Sequence, residues 1–87
     1  MSKNPEYSPD LDKMIDSETI QNEKGNFGYD IAVRQYNGGD YKIQISQWYI
    51  ERDTDVKKYA KLGRLSFDFA EKICKSINRL TTKNLSV

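Results

Sequence analysis

Lysine, arginine and aromatic residues alternate in the middle of this 87-residue chain. Successive side chains of a strand point to opposite faces, so Arg34 and Tyr36 share a face, and Lys57, Tyr59 and Lys61 share another. Cations bind phosphates and flat rings stack on unpaired bases, and a single strand of nucleic acid needs both. The pattern therefore favours binding of single-stranded nucleic acid.

The cations are concentrated in one segment. Lys57, Lys58, Lys61 and Arg64 fall within a stretch that contains no acid. Four aromatic residues lie close to these cations in sequence or across a predicted strand pair, and we expect them to stack on bases or wall a groove: Tyr36, Trp48, Tyr49 and Tyr59. A stacked base contributes roughly 1–3 kcal/mol. The full set predicted to bind nucleic acid is Arg34, Tyr36, Trp48, Tyr49, Lys57, Lys58, Tyr59, Lys61 and Arg64.

Catalytic and metal chemistry has few candidate residues. The chain has a single cysteine, Cys74, and no histidine, which excludes an intramolecular disulfide, the usual zinc ligand sets and a histidine base. Cys74 falls on the apolar side of a predicted helix, where we expect a buried packing residue rather than a nucleophile. We therefore predict no enzyme activity, catalytic residue, metal, cofactor or small-molecule substrate.

Charge and composition divide the chain. Residues 1–25 carry three lysines against six acids together with both prolines, whereas residues 26–87 carry eleven bases against seven acids. The scarcity of large apolar side chains in 1–25 predicts an acidic, disordered leader, followed by a basic domain at 26–82 and a frayed tail at 83–87. Without a signal-peptide pattern or a membrane-spanning run, we expect an intracellular protein with no membrane partner. Its place would be the cytoplasm or nucleoid if it is bacterial or from a phage, and the nucleus if it is eukaryotic.

The strands that must position these residues follow from alternation and turn signals. We predict one strand over 27–36, an Asn-Gly-Gly-Asp turn, and a second strand over 41–52. Bulky side chains on both sides of the chain at 48–50 predict a bulge or strong curvature there, or else that both faces of the strand are covered. A third segment, 56–67, is predicted to break at Gly63 into two short strands.

An amphipathic helix ends the predicted domain. Asp68 is expected to cap it, because Glu71 follows at the spacing of a capping box. The apolar side, expected to form the core or a dimer seam, comprises Phe69, Ile73, Cys74, Ile77 and Leu80. The expected fold is α+β: a strongly curved antiparallel sheet of three or four strands and one C-terminal helix, assembled as a homodimer.

The order of these features from Val33 to Leu80 resembles the transcriptional positive cofactor four family of single-stranded-DNA-binding coactivators. Val33-Arg34-Gln35-Tyr36-Asn37-Gly38 is similar to the Val-Arg-x-aromatic-x-Gly strand end of that family. Ile43-Gln44-Ile45-Ser46-Gln47-Trp48-Tyr49-Ile50 is similar to its Ile-Asp-Ile-Arg-x-aromatic-aromatic strand. Leu65-Ser66-Phe67 is similar to its Gly-Ile-Ser-Leu junction before the helix.

The resemblance implies a homodimer in which each curved sheet offers a groove to single-stranded DNA. The positions it assigns to DNA contact are Arg34, Tyr36, Tyr49 and Lys58, with Lys61 and Arg64 close to the basic pair of the family. Ser46 stands where the family has an arginine, so one cation is absent. The implied function is sequence-tolerant binding of single-stranded DNA in transcription regulation, replication or repair.

Two other uses of the same surface remain open. The exposed tyrosines and Trp48 could bind a protein partner, in which case binding would depend little on salt. Single-stranded RNA would use the same cations and rings, so a competition between DNA and RNA is needed to separate the two.

Overall fold

The computed structural model describes residues 9–85. A 3-10 turn (Pro9–Leu11) is followed in chain order by β1 (Asp12–Gln21), β2 (Phe27–Tyr36), β3 (Tyr41–Ile50), β4 (Lys57–Ala60) and α1 (Phe67–Leu85). The strands form one antiparallel sheet in the order β1-β2-β3-β4. The predicted α+β class with one C-terminal helix is confirmed. Within the described part of the chain, no helix has the length and apolar character needed to cross a membrane.

The β2–β3 hairpin forms where the alternation and the turn signal predict it. Asn37 and Gly38 have φ angles of 51° and 73°, and the Gly39 N–H donates to the Tyr36 carbonyl at 2.9 Å. Two consecutive positive φ values are typical of a type I′ turn, whose twist matches that of the paired strands. β3 pairs with both neighbouring strands without a register shift at 48–50, so of the alternatives predicted there the bulge is wrong.

β1 contradicts the prediction that residues 1–25 are disordered. Residues 12–21 pair with β2 along their length, with one register shift between Met14 and Asp16; the part of the predicted leader at 1–8 lies outside the described residues. Two acids of β1, Asp16 and Glu18, contact α1. Glu18 accepts hydrogen bonds from Ser76 Oγ at 2.7 Å and from Arg79, and Asp16 lies 3.0 Å from the Lys83 ammonium.

The core lies between α1 and one face of β2. Tyr29, Ile31 and Val33 alternate along β2 and pack against Ile73 and Leu80, and all five are buried. Burial of a side chain of this size stabilises the fold by about 1.5–3 kcal/mol. At one end of the core, Phe69 meets Tyr29 edge to face, with their ring centroids 5.2 Å apart. This packing fixes which face of the sheet the helix covers.

The helix begins and ends differently from the prediction. Ser66, not Asp68, caps it: its Oγ accepts from the Phe69 N–H at 3.1 Å and its carbonyl accepts from the Ala70 N–H at 2.8 Å. This is the usual geometry of an N-cap serine. The helix continues to Leu85, so the predicted frayed tail is wrong for 83–85, and residues 86–87 lie outside the described part.

The helix covers only half of its face of the sheet. It packs on β1 and β2, while Ile43 and Ile45 of β3 stay partly exposed beside it. Between the helix and β3 lies an apolar notch of about 190 Å³, lined by Val33, Tyr41, Lys42, Ile43, Leu80, Thr81, Asn84 and Leu85.

Cys74 is exposed, so the expectation that it is buried is wrong. The reason is that α1 is displaced toward β1.

Candidate nucleic-acid interface

Strand register divides the predicted binding residues between two faces. Tyr29, Ile31 and Val33 face the helix, so the even-numbered residues of β2 face the opposite way. We call that opposite side the open face. Cross-strand pairing puts the following predicted residues on it: Arg34, Tyr36, Trp48, Lys57 and Tyr59. Tyr49 and Lys58 are paired on the helix side, so the predicted set does not share a single face.

β4 is one of the two edge strands of the sheet and is exposed along its length. The Tyr59 side chain is 60 % exposed. After β4, residues 61–66 adopt no regular structure, so the second short strand predicted beyond Gly63 is absent from the described chain. The segment nevertheless adds two cations to those of the strand. We call the set Lys57, Lys58, Tyr59, Lys61 and Arg64 the basic edge.

The cations of the basic edge differ in their partners. Lys57 Nζ lies 3.4 Å from Asp30 Oδ2, and Lys58 Nζ lies 3.1 Å from Glu51 Oε2. Within residues 9–85, Lys61 and Arg64 have no carboxylate oxygen within 4.0 Å. An exposed ion pair such as Lys58–Glu51 is worth about 0–1 kcal/mol, so a phosphate can replace the carboxylate at little cost.

The Asp30 carboxylate accepts hydrogen bonds from side chains of the other three strands. Its Oδ1 accepts from Thr19 Oγ1 and Trp48 Nε1, both at 3.0 Å. Its Oδ2 accepts from the Tyr59 hydroxyl at 3.2 Å and from Lys57 Nζ at 3.4 Å. The same ammonium lies 4.5 Å from the centroid of the Trp48 ring and 5.3 Å from that of Tyr59. We call these five residues the Asp30 cluster.

The charges of the Asp30 cluster stabilise each other. Partial burial raises the pKa of Asp30, but the hydrogen bond from Thr19 and the positive charge of Lys57 outweigh it, so the pKa lies below its ordinary value. Partial burial also lowers the pKa of Lys57, and the Tyr59 hydrogen bond and the Asp30 charge reverse this, so that pKa is raised. Both groups are therefore charged at neutral pH.

Trp48 does not offer a ring face to solvent. Its side chain is only 3 % exposed, and it lies against Gly28, where an added Cβ would be 2.8 Å from the indole Cζ2. Trp48 was expected either to stack on bases or to form the wall of a groove. Its burial contradicts base stacking, so forming a wall is the role that remains. Tyr59, which pairs with Trp48 across the strands, is the exposed ring at this position.

Arg34 and Tyr36 lie at the other end of the open face. Arg34 makes a two-point contact with Asp12, with both nitrogen–oxygen distances at 3.1 Å, so much of its charge is compensated. Lys42 is directly opposite Arg34 and exposed, and within residues 9–85 no carboxylate oxygen lies within 4.0 Å of it. Trp48 is six positions after Lys42 along β3, which is about 20 Å of strand.

Sequence reasoning missed two residues of this surface. Lys42 has the same parity as Trp48, so the alternation carried the signal for it. Asp30 had a weaker signal, a single acid within the mostly apolar first part of β2 at 27–33, and its partners become visible only once four strands are paired.

Comparison of the chain with protein-family models, curated proteins and solved structures gave no match.

Proposed function

We propose that this domain binds single-stranded DNA at the basic edge. Tyr59 would receive a base, and Lys58, Lys61 and Arg64 would contact phosphates. The observation that carries the proposal is the exposure of β4: an outer strand with a ring that is 60 % exposed, between cations on both sides in the sequence. Rings and cations in alternation are what sequence-tolerant binding of a single strand requires.

The neighbouring strand supports this assignment. Tyr49 pairs directly with Lys58 on the helix side of the sheet and is 39 % exposed. Directly opposed residues have Cβ atoms about 4.5–5.5 Å apart, which brings a second ring beside a second cation. A single strand can therefore pass around the edge with bases on Tyr59 and Tyr49, while a stiff duplex cannot follow such a path or expose its bases.

The number of available cations predicts the affinity for single-stranded DNA and how that affinity depends on salt concentration. Within the basic edge, Lys58, Lys61 and Arg64 are the three cations available to phosphates, because Lys57 contacts Asp30. Neutralising three phosphates of a single strand gives a slope of log K against log salt of about −2. We therefore expect modest affinity that falls with salt, and weaker binding to duplex DNA. Roles in transcription regulation, replication or repair, and membership of the positive cofactor four family, are part of the same proposal.

Fluorescence anisotropy with a labelled thymidine oligonucleotide tests the proposal. The double variant Lys61→Ala with Arg64→Ala should bind at least about tenfold more weakly and with a shallower salt slope. The matched control is Lys72→Ala with Lys75→Ala, which removes two cations from the exposed side of α1. Equal losses in the two double variants, or tighter binding to duplex than to the single strand, would contradict the proposal. An RNA competitor of the same length decides between DNA and RNA.

We also propose that the domain works as a homodimer whose interface is the apolar notch. Phe67 and Leu85, at the two ends of α1, are 94 % and 78 % exposed. Helical periodicity puts both on the side of α1 that carries Thr81, which lines the notch beside Ile43. A second copy would cover these side chains and leave both basic edges accessible.

Sedimentation equilibrium tests the dimer. The wild-type protein should sediment at twice the chain mass, and Leu85→Glu should shift it toward the monomer, because a carboxylate in an apolar interface is costly to desolvate. Thr82→Glu, on the same helix turn but away from the notch, is the control. A monomeric wild-type protein at about 100 times the concentration used for DNA binding would contradict the dimer.

A further inference from the structure

We infer that Asp30 is a positioning residue: its carboxylate holds the Tyr59 hydroxyl and so orients the ring on which a nucleobase stacks. This inference rests on the proposed function. Neither Asp30 nor its contacts followed from the sequence pattern, and the residue touches no proposed phosphate or base position itself. Its action would be through Tyr59.

The two oxygens of Asp30 have separate partners. Oδ1 accepts from Thr19 of β1 and Trp48 of β3, while Oδ2 accepts from Tyr59 and Lys57 of β4. The first pair fixes the plane of the carboxylate. The second oxygen is then presented to β4 in one orientation. Asp30 belongs to β2, an inner strand paired on both sides, so its backbone position is also fixed.

Tyr59 needs such a partner because little else holds it. The side chain is 60 % exposed on a short edge strand, where an unrestrained ring samples several rotamers. Ordering a side chain on binding opposes affinity, and orienting it beforehand removes that cost. The hydroxyl bond to Asp30 holds one edge of the ring, and Lys57 lies 5.3 Å from its centroid. The exposed part of the ring remains accessible to a base.

Lys57 receives a different role from the one expected of it. Its ammonium contacts Asp30 and lies near the rings of both Trp48 and Tyr59. Its charge is therefore used inside the cluster, and it supports the ring instead of binding a phosphate. Cation–π contacts of this kind add to the restraint on Tyr59.

Affinity of the full chain for the labelled thymidine oligonucleotide, measured by anisotropy, tests the inference. Tyr59→Phe keeps the ring and removes the hydroxyl, and it should weaken binding about three- to tenfold. Tyr59→Ala removes the ring and should weaken binding further, by at least about tenfold. Asp30→Asn should resemble Tyr59→Phe, and the double variant should be no weaker than either single variant, since both break one contact.

The control is Asp68→Asn, which, like Asp30→Asn, removes one carboxylate; Asp68 pairs with Lys72 at the start of α1 and belongs to neither the basic edge nor the Asp30 cluster. Its affinity should equal that of the wild type. If Asp30→Asn fails to fold by circular dichroism, Tyr59→Phe alone decides. Wild-type affinity in Tyr59→Phe together with weak binding in Tyr59→Ala would overturn the inference and leave the proposed function intact. Absence of binding by the wild type would overturn both, and additive losses in the double variant would overturn the positioning role.

Discussion

Substitution of Gly28 by alanine should be one of the most damaging single-methyl changes in this chain. An added Cβ would clash with the Ile20 carbonyl oxygen and would lie 2.8 Å from Trp48 Cζ2 and 2.9 Å from the Gln21 Cα. Two of these atoms belong to the backbone of β1, which cannot rotate aside as a side chain can. β1 must therefore move away from β2, or the Trp48 ring must leave its place.

The expected magnitude follows from the number of close contacts. Overpacking a buried site by one methyl group costs about 1–3 kcal/mol. Three contacts shorter than 3.0 Å argue for the upper part of that range, about 2–3 kcal/mol. For a domain of this size each kcal/mol corresponds to about 4–8 °C, so the midpoint of thermal unfolding should fall by about 10–20 °C.

Thermal unfolding followed by circular dichroism measures this, and the emission of Trp48, the only tryptophan, reports the position of the ring. Gly63→Ala is the matched control, because an added Cβ there meets nothing within 4 Å; it should leave the midpoint unchanged or raise it slightly. A midpoint for Gly28→Ala within about 3 °C of the wild type would refute the packing argument.

Three further predictions concern the helix and its contacts. Leu80→Ala should lower the free energy of unfolding in urea by about 2–5 kcal/mol, because it leaves a cavity beneath α1; a loss below about 1 kcal/mol would contradict the assigned core. Arg79, and then Ser76, hold the pKa of Glu18 below its ordinary value of 4.5, so the resulting stabilisation is complete above that pH and is lost as the pH falls below it. The urea midpoint of the wild type should therefore fall between a pH above 4.5 and a pH below it, and this fall should be smaller in Glu18→Gln. An equal fall in the two proteins would show that the contacts of Glu18 do not cause the pH dependence. Cys74 is exposed and should react with a thiol reagent in the native protein in dilute solution, whereas reaction only after unfolding would show that it is covered.

The central hairpin could be predicted because its signals are local. Alternation along β2 and β3 and the Asn37-Gly38 turn depend only on residues close in sequence, and the observed β2 has the predicted bounds. β1 could not be recognised in the same way. A register shift interrupts its alternation, and Asp16 and Glu18 suggested a solvated segment because their partners lie in α1, at the far end of the chain.

The site was predicted in composition but not in arrangement. The sequence identified the cations of the basic edge, yet it could not indicate that Trp48 is buried by contacts to Asp30 and Gly28. Helical periodicity identified the apolar side of α1, but not that the helix lies over β1 and β2. On the β1 side, Ser76 and Arg79 donate to Glu18, while Cys74 is left exposed.

The contacts between β1 and α1 also bear on the order in which the domain forms. Glu18 is 58 residues from Ser76, and Asp16 is 68 residues from Asn84. Such distant contacts require closure of long loops, which slows folding. During synthesis β1 emerges before the β2–β3 hairpin and long before α1, which contacts Asp16 and Glu18. The β2–β3 hairpin can form while the chain is still being synthesised. The helix can pack on the sheet only after nearly every residue of the domain has left the ribosome.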